Sequence, residues 1–202
     1  RVTDANGTIT TSSPFTISST LIARTLTFNA AYLTKTIGQT QQLIAPTLTP
    51  NGVSSVGTMT YSAGSSTACT VNNSGLVTIT HGTGTCSITA TLSQSGNYAA
   101  ATTATPSTVP VGLASQSITV ATGDTTYGTN PTLASSGSTG TGAVTYAKVS
   151  GPCAISGTVL RTTGAGNCVI TASIAADNDY ASATSAQKTI AIAAKAITVT
   201  AN

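Results

Sequence analysis

The sequence predicts an all-β chain of two small β-sandwich modules in tandem, flanked by pieces of two more. Three observations predict it. The first is composition: Thr, Ser, Gly, Ala and Val dominate the 202 residues and only 5% are charged, against about 25% in an average globular protein. That mixture suits short strands and turns better than helices. The second is rhythm: turn signals recur about every ten residues between short alternating runs, as in sandwiches, with no 3.6-residue apolar period over a useful length. The third is internal repetition.

Taken in order, RVTDANGTITTSSPFTI reads as strand, Asn-Gly turn, strand. Residues 1–22 are thus expected to be the closing hairpin of a preceding module. The first full module spans 23–112, with strands expected near 24–29, 40–48, 57–62, 69–72, 76–80, 86–92 and 99–109. TPNG at 49–52, NNSG at 72–75, HGTG at 81–84 and QSGN at 94–97 supply the turns between them. The second module, 113–193, repeats the first. Tyr61 aligns with Tyr146, Cys69 with Cys153, Cys86 with Cys168 and Tyr98 with Tyr180, at offsets of 85, 84, 82 and 82. ARTLTFN from Ala23, SQSITVA from Ser115 and AKAITVT from Ala194 are three versions of one opening strand. Residues 194–202 therefore read as the first strand of a following module. The two flanking fragments are too short to complete each other, so a parent chain extending in both directions is expected. The linkers carry no Gly/Ser or Pro-rich tether, which predicts a semi-rigid stack.

The expected core is Val71, Leu76, Val77, Ile79, Ile88 and Leu92 in the first module, and Ile155, Val159, Leu160, Val169, Ile170 and Ile174 in the second. The stretch TMTYSAGSSTACTVNNSGLVTITHGTGTCSITATLSQSGNYAAAT resembles the bacterial immunoglobulin-like repeats of group 2 and their MBG-type relatives. The resemblance is carried by Tyr61, Val71, Ser74-Gly75-Leu76-Val77, the Gly82–Thr85 turn, Ile88–Ala90 and Gly96-Asn97-Tyr98. It covers both full modules. The second departs from it with Ser-Gly-Thr-Val, and with Asp177-Asn178-Asp179-Tyr180 in place of Ser-Gly-Asn-Tyr. The opening VTDANGTITTSSPFTI looks like the end of another bacterial Ig-like or cadherin-like repeat. The resemblance implies antiparallel Ig-like sandwiches in large modular surface proteins, adhesins or phage tail parts.

Charge and hydropathy narrow the function classes. The net charge of +3 comes from seven scattered basic residues, without the clustered patch or interleaved aromatics of a nucleic-acid binder. No apolar run approaches the roughly 20 residues of a spanning helix. The chain opens on Arg1, with no initiating Met, signal peptide or lipidation motif, and is expected to be a piece of a longer product.

Four cysteines carry the clearest chemistry. Cys69 and Cys86 are 17 apart and Cys153 and Cys168 are 15 apart, and no CxxC occurs. Zinc wants four Cys or His ligands, and the lone His81 has no counterpart in the second module. An even count repeated in register predicts one disulfide per module, Cys69–Cys86 and Cys153–Cys168, and an oxidising, extracytoplasmic setting. Asp177-Asn178-Asp179 offers oxygens that could ligate calcium, or only the backbone tolerance a turn requires; no other metal and no cofactor is expected. Asp124 reads as turn chemistry. Tyr98 and Tyr180 are either exposed sugar- or protein-contacting aromatics or rings packed over a sandwich end, while Tyr61 and Tyr146 read as core or near-core. Lys35 and Lys148 are candidates for a Lys–Asn isopeptide bond, but they do not align between copies. Asn6-Gly7-Thr8 and Asn72-Asn73-Ser74 are sequons that matter only in a glycosylating host. With one His, no Glu and no Gly-x-Ser-x-Gly turn, no catalytic residue is expected.

The functional expectation is a non-catalytic stalk or spacer of a bacterial cell-surface or secreted protein, adhesin-like, whose partners are neighbouring modules of its own kind. The alternatives are a self-assembling extracellular filament or sheath built by strand exchange, and a module whose turns bind a surface glycan or protein receptor, phage tail decoration included.

Overall fold

The computed structural model describes residues 2–3, 5–7, 9–10, 19–49 and 57–199. All regular structure among them is β; none is helical. Strands β1 (Val2–Thr3) and β2 (Ile9–Thr10) pair as an antiparallel hairpin. Residues 19–112 carry β3 (Thr25–Thr27), β4 (Thr40–Gln42), β5 (Thr47–Thr49), β6 (Met59–Ser62), β7 (Cys69–Val71), β8 (Leu76–Ile79), β9 (Ser87–Leu92), β10 (Ala101–Thr102) and β11 (Ser107–Thr108). Residues 113–199 carry β12 (Thr119–Val120), β13 (Thr125–Thr126), β14 (Ser135–Ser136), β15 (Val144–Ser150), β16 (Cys153–Ser156), β17 (Val159–Thr162), β18 (Gly166–Ile174), β19 (Ala183–Thr184) and β20 (Lys188–Ala193). Apart from β1–β2, every strand pair among the described residues lies within one of these two halves.

Each half is organised around its longest-buried strand. In β9 the side chains alternate, so that Ile88, Ala90 and Leu92 are buried on one face. Strand β6 lies on one edge of β9, and β10 and β11 on the other. Facing this sheet, β4–β8–β7 covers the end near Ile88, where Leu43, Cys69, Val77, Ile79, Cys86 and Val109 join one apolar cluster. The β3–β5 pair covers the other end, where Leu26 meets Leu92 and Ala101. In the second half β18 takes the part of β9, flanked by β15 on one side and by β19 and β20 on the other. Its buried Cys168 and Ile170 pack with Leu133, Leu160, Ile190 and Ile192, and Ala172 and Ile174 pack with Ile118. Of the expected core, Val77, Ile79, Ile88, Leu92, Leu160, Ile170 and Ile174 are buried, whereas Val71, Leu76, Ile155, Val159 and Val169 are half-buried. The five lie on the opposite phase of alternation or on edge strands, where one side of the residue stays open.

Three expectations are corrected. The runs expected at 40–48 and 99–109 each break in two, at residues 43–46 and 103–106. Both breaks contain a proline, Pro46 or Pro106, which removes a ladder donor. The N-terminal hairpin pairs Val2 with Thr10 and Thr3 with Ile9, a register centred on Asn6, which does not fit a two-residue Asn-Gly turn. Gly7 takes positive φ but Asn6 does not, whereas the tight turn needs both residues there. The stretch 11–18 and most of the 49–52 turn lie outside the described residues. Finally, the pairing is not wholly antiparallel. After leaving the β12–β14 pair the chain crosses to the other sheet, where β13 runs parallel to β20. Lys35 and Val111 make the same parallel bridge in the first half.

Single hydrogen bonds correspond between the two halves. Thr103 is buried and its Oγ1 accepts from Ala90 N at 3.1 Å, while its own N donates to Ala90 O at 2.9 Å. Ser185 Oγ accepts from Ala172 N at 2.9 Å, and Ser185 N donates to Ala172 O at 2.8 Å. In each half a hydroxyl thus replaces one rung of the ladder. The pairs Thr91–Thr102 and Ser173–Thr184 also join hydroxyl to hydroxyl across equivalent strands, at 3.1 and 2.9 Å. Ser107 breaks the pattern, because its Oγ is buried without a partner. A buried hydroxyl left unpaired carries a desolvation cost, so Ser107→Ala is expected to raise stability by about 1 kcal/mol. A urea titration that finds the variant less stable than the parent would contradict this.

Candidate functional site

Both cysteine pairs are disulfides, Cys69–Cys86 with Cα atoms 5.4 Å apart and Cys153–Cys168 with Cα atoms 5.9 Å apart. No free cysteine remains. Each bridge ties the strand at the edge of one sheet, β7 or β16, to the central strand region of the sheet it faces. All four residues are at most 4% exposed, so the sulfurs are shielded inside the core clusters. Disulfides of this kind belong to oxidising compartments.

The richest polar constellation is the turn 177–180. Asp177 Oδ1 accepts from the N–H groups of Asp179 (2.9 Å) and Tyr180 (2.8 Å), and Oδ2 accepts from Thr141 N (2.6 Å) and Thr141 Oγ1 (3.2 Å). Each carboxylate oxygen therefore already holds two donors. The Asp179 N–H, followed by those of Thr141 and Tyr180, pushes the Asp177 pKa down from the usual 3.8 to about 2. Asp179 points the other way: its Oδ1 lies 3.0 Å from Gly82 N and 3.2 Å from His81 Nδ1 of the first half. The two carboxylates hold separate partners, and among the described residues no three His, Cys, Asp or Glu side chains converge. Since the folded-state pKa of Asp177 is depressed, its contribution to stability is present above the unfolded value near 4 and is lost as pH falls towards 2. Asp177→Asn is expected to flatten the pH dependence of the melting temperature between pH 4 and about 2. An unchanged acid limb in that variant would remove Asp177 from the account.

The other candidates act on the backbone. Asp124 Oδ1 accepts from Ala191 N at 2.8 Å, fixing the approach to β13. Asn72 Oδ1 accepts from Ser74 N, Ser74 Oγ and Leu76 N, and so shapes the NNSG turn. Gly75 closes that turn at φ +79, and a Cβ there would lie 3.2 Å from the Tyr61 ring. Tyr61 packs on the first core, and burial raises its pKa above the usual value, with Tyr32 adding to the rise. Tyr146 packs on both clusters of the second half. Tyr98 and Tyr180 are half-buried, and their backbones bridge to Ile22 and Ala114. Lys35 likewise joins the Val111 bridge through its backbone, and Lys148 lies exposed on β15 beside an open groove of about 450 Å³ that Tyr146 and Ile155 also line.

Sequence reasoning missed Arg24, which it counted only among the seven scattered basic residues. Arg24 is 5% exposed. Its Nε donates to Ala99 O at 2.9 Å, its Nη2 to Ser93 O at 2.8 Å, and its guanidinium lies 5.6 Å from the Tyr98 ring centroid. In the second half the aligned residue is Gln116, whose Nε2 donates to Ala181 O at 2.8 Å. The alignment of ARTLTFN with SQSITVA was the available signal, since both sequences place a long hydrogen-bonding side chain at the same register.

No helix of the described residues is long and apolar enough to cross a membrane. No protein-family model matches the chain, and no curated protein matches it significantly.

Proposed function

We propose that the chain is a pair of tandem immunoglobulin-like modules serving as a non-catalytic stalk or spacer in a bacterial extracellular or cell-surface protein of the adhesin kind. The observation that carries the reading is the repetition of the same side-chain-to-backbone hydrogen bonds in two halves. Thr103 and Ser185 cap the same rung, and each half has its own core and its own buried disulfide. A disulfide joining two facing sheets accords with the Ig-like resemblance. Repeating units with separate cores and short linkers are suited to holding a distant part of a molecule away from a surface. Oxidation of both bridges supports an extracytoplasmic setting.

One observation favours strand exchange as a second reading. Ile197 is 89% exposed, while the aligned Leu26 and Ile118 are each 3% exposed, and Val199 is 86% exposed where the aligned Phe28 and Val120 are half-buried. Residues 194–199, expected to open a strand, form none here, and an alternating segment with exposed apolar side chains suits insertion into another sheet. The mass of the native polypeptide that contains these residues separates the two readings. A mass far above 19.8 kDa is expected for a stalk. A native chain near 19.8 kDa that polymerises would instead establish the filament.

A further inference from the structure

We infer that the turn 177–180 is a latch that sets the orientation of one half relative to the other. The inference deepens the tandem reading, resting on it only in treating the halves as separate bodies. One residue, Asp179, takes both attachments. Its carbonyl oxygen accepts from Ala114 N at 2.8 Å, and Ala181 N donates to Ala114 O at 2.9 Å, so the linker is paired on both sides of Tyr180. Its carboxylate reaches out of the second half to Gly82 N and His81 Nδ1. Asp177 holds the turn in shape from below through four hydrogen bonds, one pair of which anchors it to Thr141.

The receiving side is shaped for the contact. Gly82 is buried, and a Cβ on it would lie 2.9 Å from Asp179 O and 3.1 Å from Asn178 O. Its φ lies outside the left-handed region, so its own backbone accepts a side chain. Only the neighbouring half requires glycine here. The corresponding turn of the first half, Ser95–Tyr98, has no carboxylate; Asn97 O accepts from Ile22 N, the same linker bond. The carboxylate is therefore an addition to a shared turn, placed where the two halves meet.

Residual dipolar couplings on the intact, disulfide-bonded chain test this. In the parent, one alignment tensor should fit the amides of both halves. In Gly82→Ala and in Asp179→Ala, each half should stay folded, with its β9 or β18 amides still protected, while the two halves require different tensors. A parent that already needs two tensors overturns the latch. So do variants that keep the parent's single tensor. If Gly82→Ala does not fold, Asp179→Ala decides alone, since it removes the contact without adding volume. The outcome is independent of the native mass, so a failed latch and a failed stalk reading are distinguishable.

Discussion

Replacement of Cys69 and Cys86 by Ala is expected to destabilise the first half by about 3 kcal/mol and to leave the second half unchanged. The bridge closes a loop with a sequence separation of 17, and chain-entropy reasoning gives about 3 kcal/mol for a loop of that size. The paired replacement also trims two residues inside the core cluster of Leu43, Val77, Ile79, Ile88 and Val109, which adds to the loss. For a unit of this size a 3 kcal/mol change moves the melting temperature by on the order of 10–20 °C. Hydrogen exchange resolves the locality: protection should fall at Ile88 and Ala90 in β9 and persist at Ile170 and Ala172 in β18. The reciprocal pair, Cys153 and Cys168 to Ala, should reverse the pattern. Equal loss of protection in both halves would show that they unfold as one unit, and the independence of the two cores would have to be given up.

Arg24→Ala should cost about 2–3 kcal/mol, whereas Arg24→Gln should lose much less. A hydrogen bond from a charged donor contributes about 1.5–3 kcal/mol when removal strands its partner. Here the guanidinium supplies two carbonyls, Ala99 O and Ser93 O, and covers the face of Tyr98. The second half manages the equivalent position with an amide, Gln116 to Ala181 O, so glutamine at position 24 keeps one bond and gives up the other. Denaturant titration of the two variants ranks them. If Arg24→Gln is as damaging as Arg24→Ala, the charge rather than the hydrogen bond holds the Ile22–Tyr98 bridge in place.

The two predictions differ in how visible their residues were. The cysteine pairing followed from an even count repeated in register, because a covalent bridge within a repeat leaves its mark in the spacing of the residues it joins. Arg24 left only a faint mark, its alignment with Gln116. Its partners are 69 and 75 residues away, and nothing local separates a buried arginine from a solvated one. Asp179 is the same case: its type and its turn were evident, but its reach to Gly82, 97 residues away, was not. The reading of Asp177 and Asp179 together as possible calcium ligands assumed that neighbours in sequence share a site. In the folded chain their carboxylates take different protein partners, Asp177 its own turn and Thr141, Asp179 the His81–Gly82 turn.

What the sequence by itself determined is the short-range physics. Alternation at Ile88-Thr89-Ala90-Thr91-Leu92 commits one face of β9 to the core, turn residues such as Gly75 mark where the chain reverses, and prolines 46 and 106 mark where ladders break. Each depends on residues within a few positions of one another, so each is written in the order of the chain. Tertiary structure alone decided which strand edges meet, where an opening strand crosses to run parallel with the last, and which polar side chains the closure of the sheets would bury. Those outcomes depend on the register of pairing between segments dozens of residues apart. The sequence carries that register only as two similar halves, while the hydrogen bonds that distinguish Arg24 from Gln116, and Asp179 from Asn97, appear once the sheets have closed.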